Sequence, residues 1–99
     1  MNFIEHVNRW IAENRSALER TELLAVSDSV DTRSKRSVHV AVQNADRFAE
    51  VMVWDTGEAE FGFGGIDGDQ SDEHHDLIDT AELDQLLARF LARVEDMRR

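Results

Sequence analysis

Residues 37–65 alternate between apolar and polar side chains with a period of two, interrupted only by tight turns, and this restricts the fold more than any other feature. "SVHVAVQ" places Val38, Val40 and Val42 on one face and His39 and Ala41 on the other. "NADR" then reads as a turn, "FAEVMVWD" as a second alternating strand and "DTGE" as a tight turn around Gly57. In "EAEFGFG", Ala59, Phe61 and Phe63 oppose Glu58 and Glu60. Connections this short join antiparallel neighbours, because a parallel crossover needs a dozen or more residues. Upstream, "ELLAVSDSV" reads as a further strand with Leu24, Val26 and Val30 on one side. Downstream, "GGIDGDQSDE" has the composition of a loop and "HHDLI" that of a short fifth strand.

Helical periodicity flanks this block. Asn2 and Glu5 have capping-box spacing, and Phe3, Val7, Trp10, Ile11 and Leu18 recur as a helix would require, to about Arg20. At the other end Asp79 and Glu82 form a second capping pair. They precede an apolar stripe of Leu83, Leu86, Leu87, Phe90, Leu91, Val94 and Met97. The expectation is one α+β domain over residues 1–99. An antiparallel meander of four to five strands carries the N- and C-terminal helices on one face, in the order α-β-β-β-β-(β)-α. If Ala49, Val51 and Val53 face the helices, Glu50, Met52 and Trp54 face outward beside Glu58 and Glu60. The opposite register, with Phe48, Met52 and Trp54 as the core row, satisfies the alternation equally well.

The formal charge is −10, and its distribution is uneven. Residues 1–47 hold seven acids and seven Lys/Arg, residues 48–88 hold twelve acids and no Lys or Arg, and residues 89–99 hold two acids and four Arg. Nucleic acids and anionic membranes demand cationic surface, so a basic protein is the expected partner. The chain has no cysteine, which excludes a disulfide framework, a thiolate metal site and a cysteine nucleophile. No run approaches the ~18–20 apolar residues of a membrane span. The N-terminal residues lack the charge-then-apolar order of a signal peptide, so the expected compartment is the cytoplasm.

The acidic block invites chemical readings that its spacing does not sustain. With Asp67 at position 1 of an EF-hand, Asp69 and Ser71 fall at positions 3 and 5. Position 6 is then Asp72 instead of Gly, and position 12 is Ile78 instead of Glu. His74 and His75, with Glu73 and Asp76, have metal-ligating chemistry, but adjacent strand residues point to opposite faces. In "GFGGIDG" Asp67 stands where a dinucleotide fingerprint has its third glycine, and the acids that follow would repel a pyrophosphate. Asp55 or Glu58 could act as acid or base, yet no nucleophile or anion cradle accompanies them. His6 and His39 are isolated and are assigned no role. No catalytic residue, cofactor or metal is therefore expected. Trp54 is the remaining residue of note: a strand Trp is usually core, but the acidic turn that follows favours an interface anchor.

"VMVWDTGEAEF", between an N-terminal helix and a C-terminal leucine-rich helix, resembles the TriTu family of bacterial immunity proteins. The specific likeness spans Val51 to Phe61, with Thr56 where Ser is as common. The resemblance implies an antidote to an antibacterial toxin delivered by type VI secretion. That toxin would be an ADP-ribosyltransferase that uses NAD to modify elongation factor Tu, and the antidote would bind it and block its active site. Such a protein is expected to be a monomer when free and not to be an enzyme. The motif does not itself assign contact residues. From exposure and charge, the expected partner-binding set is Glu50, Met52, Trp54, Asp55, Glu58, Glu60, Asp67, Asp69, Asp72 and Glu73. The alternative function is an acidic secretion chaperone that binds an effector segment.

Overall fold

The computed structural model describes residues 2–21, 23–30, 35–65 and 68–97. Its elements are α1 (Phe3–Leu18), β1 (Leu23–Val30), β2 (Arg36–Gln43), β3 (Arg47–Trp54), β4 (Glu58–Gly65), β5 (Gln70–Asp76) and α2 (Thr80–Met97). The strands form a single antiparallel sheet in chain order, β1-β2-β3-β4-β5. This is the α+β meander expected from the sequence, with five strands.

Helix α1 begins where the Asn2 side chain accepts a hydrogen bond from the Glu5 backbone N–H at 3.0 Å. It buries Phe3, Ile4, Val7, Ile11 and Leu18 and lies over β2 and β3. Helix α2 buries Leu83, Leu86, Leu87, Phe90, Val94 and Met97, lies over β3 and β4, and packs beside α1. Trp10 of α1 and Phe90 of α2 approach with ring centroids 5.9 Å apart, and Phe90 meets Phe61 of β4 edge-on at 6.3 Å. Both helices therefore press on one face of the three central strands.

Cross-strand pairing fixes which face that is. Val38, Val53 and Ala59 form one row, Val40, Val51 and Phe61 the next, and Val42, Ala49 and Phe63 the third. All but the half-buried Phe63 are buried. Of the two registers the sequence left open, the chain thus adopts the one with Glu50, Met52 and Trp54 outward. A slip of one residue would place Glu50 beneath the helices, where an unpaired carboxylate costs several kcal/mol.

The fifth strand differs from the expectation. Gln70–Glu73, read as loop, is strand, whereas Leu77 and Ile78 lie beyond the strand's end. The physical reason is pairing: Gly64↔Gln70, Phe61↔Glu73 and Glu58↔Asp76 align this acidic segment along β4, whose backbone supplies the hydrogen-bonding edge. A strand at the rim of a sheet can carry polar side chains on both faces, which composition alone reads as loop. The chain then turns into α2, where Asp79 Oδ1 accepts from the Glu82 N–H at 2.9 Å and Glu82 Oε1 from the Ile78 N–H at 2.6 Å.

Between β3 and β4, Gly57 has φ +95 and donates its N–H to the Trp54 carbonyl at 3.0 Å. A Cβ there would lie 2.6 Å from the Leu77 carbonyl oxygen. The position therefore demands glycine both for its backbone angle and for the close approach. Gly57→Ala is expected to destabilise the protein by ~1–3 kcal/mol, lowering Tm by ~4–8 °C per kcal/mol. A thermal melt with an unchanged Tm would show that this turn does not hold the hairpin.

Candidate partner-binding face

With both helices on one side, the other face of the sheet is open, and alternation decides what it presents. Strands β1 and β2 contribute small or neutral residues there: Ala25, Ser27, Ser29, Ser37, Ala41 and Gln43, with His39 among them. Central strand β3 contributes Phe48, Met52 and Trp54, all half-buried, with Glu50 between them. Strands β4 and β5 contribute Glu58, Glu60, Asp72, His74 and Asp76. The face is thus an apolar spine with a neutral flank on one side and an acidic flank on the other.

Several of these carboxylates have partners that strand distance in sequence hides. Lys35 Nζ lies 2.7 Å from Glu58 Oε1 and 5.0 Å from the Trp54 ring centroid, linking the first acid of β4 to the last aromatic of β3. The Lys35 ammonium and the Thr56 hydroxyl, which donates to Glu58 Oε1 at 3.1 Å, hold the Glu58 carboxyl below its usual range. His39 Nε2 is 3.1 Å from Glu50 Oε2. His74 bridges two acids, with Nδ1 3.0 Å from Glu60 Oε1 and Nε2 3.2 Å from Asp76 Oδ1. Only the protonated imidazole donates from both nitrogens, and accordingly these contacts raise the His74 pKa above 6.5.

Gly62 of β4 sits between Glu50 and Asp72 in the same cross-strand row. Without a side chain on Gly62, both carboxylates lean over its backbone: a Cβ would meet Asp72 Oδ1 at 3.0 Å and Glu50 Oε1 at 3.3 Å. The result is a shallow depression of about 250 Å³ lined by His39, Glu50, Met52, Glu60, Gly62 and Asp72. Its walls carry three carboxylates around a thioether floor.

The structure therefore brings together Glu50, Met52, Trp54, Glu58, Glu60 and Asp72 of the set expected from sequence. Asp55 lies in the adjoining turn, where its Oδ2 accepts from the Arg36 N–H at 3.1 Å. Asp69 is exposed at the β4–β5 connection, and Asp67 lies outside the described residues. Glu73 is on the other side of the sheet. It faces α2 and makes a two-pronged pair with Arg89 at 2.8 and 2.7 Å, and it also meets His75 Nε2 at 2.9 Å. Arg89, and secondarily His75, hold the Glu73 carboxyl down at about 2. His74 and His75 thus serve opposite faces, and among the described residues no group of three or more His, Cys, Asp or Glu is arranged to hold a metal ion.

A family model described as immunity protein TriTu matches residues 5–93, the whole meander with most of both helices. The chain belongs to the TriTu immunity protein family. Searches of curated proteins and of solved structures each found no match. This TriTu protein accordingly has an immunity function and a cognate toxin as its partner. Among the described residues, no helix is long and apolar enough to cross a membrane.

Sequence reasoning missed five charged, aromatic or titratable members of the TriTu face: Lys35, His39, Phe48, His74 and Asp76. Phe48 could have been found by extending the Met52–Trp54 alternation back along β3. Lys35 could not, because its contact with Glu58 depends on how β2 and β4 flank β3.

The two faces carry opposite pH dependences. The Glu73 carboxyl is depressed from 4.5 to about 2, so its contribution is complete above about 4.5 and disappears as pH falls toward 2. The His74 pKa is raised, so its contribution is complete below 6.5 and disappears as pH rises through the raised value. In Tm-versus-pH profiles, Glu73→Gln is expected to melt lower than the native chain at pH 7, with the gap closing in acid. His74→Gln should show its largest deficit near pH 6 and lose it in alkali. Parallel profiles for all three proteins would refute both assignments.

Proposed function

We propose that this TriTu protein neutralises its toxin by laying the open sheet face over the toxin's active site. We propose further that the toxin is an NAD-dependent ADP-ribosyltransferase acting on elongation factor Tu, delivered by type VI secretion into cytoplasm where the antidote waits. The single observation that carries the docking mode is the adjacency, on one uncovered face, of the Phe48–Met52–Trp54 spine and the acids Glu50, Glu60 and Asp72. Central aromatic anchors beside complementary charge are how specific interfaces are built. The toxin's class is carried by the family resemblance alone.

The parts of the face have separate tasks. Carboxylates on the β4–β5 flank attract a basic surface and raise association, which steering can carry toward ~10⁸–10⁹ M⁻¹s⁻¹ at low salt. The Gly62 depression accepts a Lys or Arg side chain among three acids. Met52 and Trp54 supply the apolar contact that holds the complex once formed. Asp55, Glu58 and Asp69 lie at the rim of this contact, while Glu73 is engaged by Arg89 and takes no part. The protein acts by binding, with no chemistry of its own. The chaperone alternative gains no support from the family match.

The direct test adds the purified protein to the product of the adjacent upstream gene and follows NAD-dependent labelling of elongation factor Tu. Stoichiometric loss of labelling is the expected result, and full labelling in the presence of excess antidote would refute the reading. Two variants test the division of tasks. Glu60→Lys with Asp72→Lys should slow association at least about tenfold at low salt, with a smaller difference at high salt. Trp54→Ala should speed dissociation while shifting Tm far less than a core truncation such as Leu87→Ala, which costs ~2–5 kcal/mol. Association rates that are unchanged and insensitive to salt would remove the steering role.

A further inference from the structure

The sheet ends in two very different edges. Strand β5 carries three acids and two histidines among its seven residues, the kind of charge that discourages pairing with a further strand. Strand β1, LLAVSDSV, has one charged residue, Asp28, and no proline or lysine among its eight. It is the first strand of the sheet and, among the described residues, pairs on one side only, with β2, so its other row of backbone N–H and C=O groups points outward. Because α1 lies over β2 and β3, the helix side of β1 is not fully covered: Val26 is 40% exposed and Leu24 half-buried, and Leu23 on the opposite face is 56% exposed. An edge of unbroken register that is largely apolar and weakly charged recruits another strand.

We propose that the occupant of this edge is a second copy of the chain, paired antiparallel through β1 to continue the sheet to ten strands, in place of the free monomer that the family resemblance implies. Charge favours this partner at this edge. The chain's negative charge lies in residues 48–88, which run from β3 to the middle of α2, whereas residues 1–47 are balanced. Two copies meeting at β1 join their neutral halves and keep the acidic strands β4 and β5 three and four strands from the junction, where exposed charges are screened beyond ~8–10 Å.

The sequence of β1 also selects a register. A two-fold axis perpendicular to the sheet keeps helix-side residues on the helix side, so even positions pair with even. With the axis at Ala25, Leu24 lies opposite the second copy's Val26 and Val26 opposite its Leu24, an apolar quartet beside α1. Leu23 then meets Ser27 on the open face. Moving the axis to Val26 would set Leu24 against Asp28, and cross-strand pairs of that kind are unfavourable. The Ala25 axis places all four helices on one side and both acidic faces on the other, so each face stays free. The inference thus stands apart from the proposed toxin docking.

The absence of cysteine from the chain makes the test specific. Directly opposed residues in an antiparallel pair have Cα atoms ~4.5–5.5 Å apart, within the ~4.4–6.8 Å that a disulfide spans. Ala25→Cys is expected to cross-link to dimer under mild oxidation. Ser29→Cys, eight residues from its copy in this register and so ~26 Å away, is expected not to. Strand-edge contacts fall in the weak class below ~1,200 Å². Sedimentation of the native chain should therefore show a mass that climbs from 11.3 kDa toward twice that value as concentration rises. Val26→Lys should hold it at the monomer mass with the circular dichroism spectrum unchanged. A native mass fixed at 11.3 kDa at every concentration overturns the proposal. So does Ala25→Cys that cross-links no faster than Ser29→Cys, or Val26→Lys that still self-associates.

Discussion

Everything in this molecule follows from one burial: the valine and phenylalanine face of β2–β4 closed beneath two amphipathic helices. Val40, Val51 and Phe61 lie in one row across the three central strands and are each no more than 1% exposed. Above them stand Val7 and Leu18 from α1 and Leu83, Leu87, Phe90 and Val94 from α2, all fully buried. A domain of this length makes one two-layer core. Spending both helices on the same side leaves the sheet's second face in water, and its side chains are then free to be chosen for something other than packing.

That freedom explains why the charge is organised by face and not by distance along the chain. Glu73 and His75 alternate with Asp72, His74 and Asp76 along a single strand, yet Glu73 looks toward Arg89 while its neighbours look away from the helices. On the helix side the arginines of α2 lie over the strand aromatics, Arg93 at 3.8 Å from the Phe63 ring centroid and Arg89 at 5.3 Å from that of Phe61. Their guanidinium groups close the rim of the core, and that of Arg89 also satisfies the Glu73 carboxylate. On the open side Lys35 is drawn to Glu58, and histidines meet Glu50, Glu60 and Asp76.

How much of this was legible from sequence depends on whether a residue's role is set by its neighbours in the chain. Helices α1 and α2 and strands β2–β4 were legible because a period of 3.6 or of two is a local property, and caps such as Asn2 and Asp79 announce themselves within four residues. The hairpin of "WDTGEAEF" was legible too, since Gly57 and the alternation around it act over a few positions. Strand β5 was legible only in its second half, His74–Asp76: "QSDE" has no apolar period, and it becomes strand because β4 offers an edge. The same limit applies to the face. Strand parity placed Glu50, Met52 and Trp54 together, but the Gly62 depression needs β3, β4 and β5 aligned to the residue, and Lys35 over Trp54 needs β2 as well.

The central acidic block prompts the question of why a small protein would hold so many carboxylates without counter-charges, and the fold changes its terms. Glu58 and Glu73 have cations from outside the block, Lys35 and Arg89, so the unpartnered charge is smaller than the sequence count implies. What remains on the open face is partnered mostly by histidine, whose charge is conditional. Glu60 and Asp76 both favour the protonated form of His74 and raise its pKa. A basic partner that approached Glu60 would compete for the same oxygen and lower the affinity of His74 for its proton. By linkage, the proton must weaken the partner to the same degree. Under the proposed docking, protonated His74 offsets Glu60 and Asp76 while the face is empty and yields as a stronger cation arrives. The carboxylates are thereby kept from destabilising the free protein by mutual repulsion, yet stay available to a cation strong enough to displace an imidazolium.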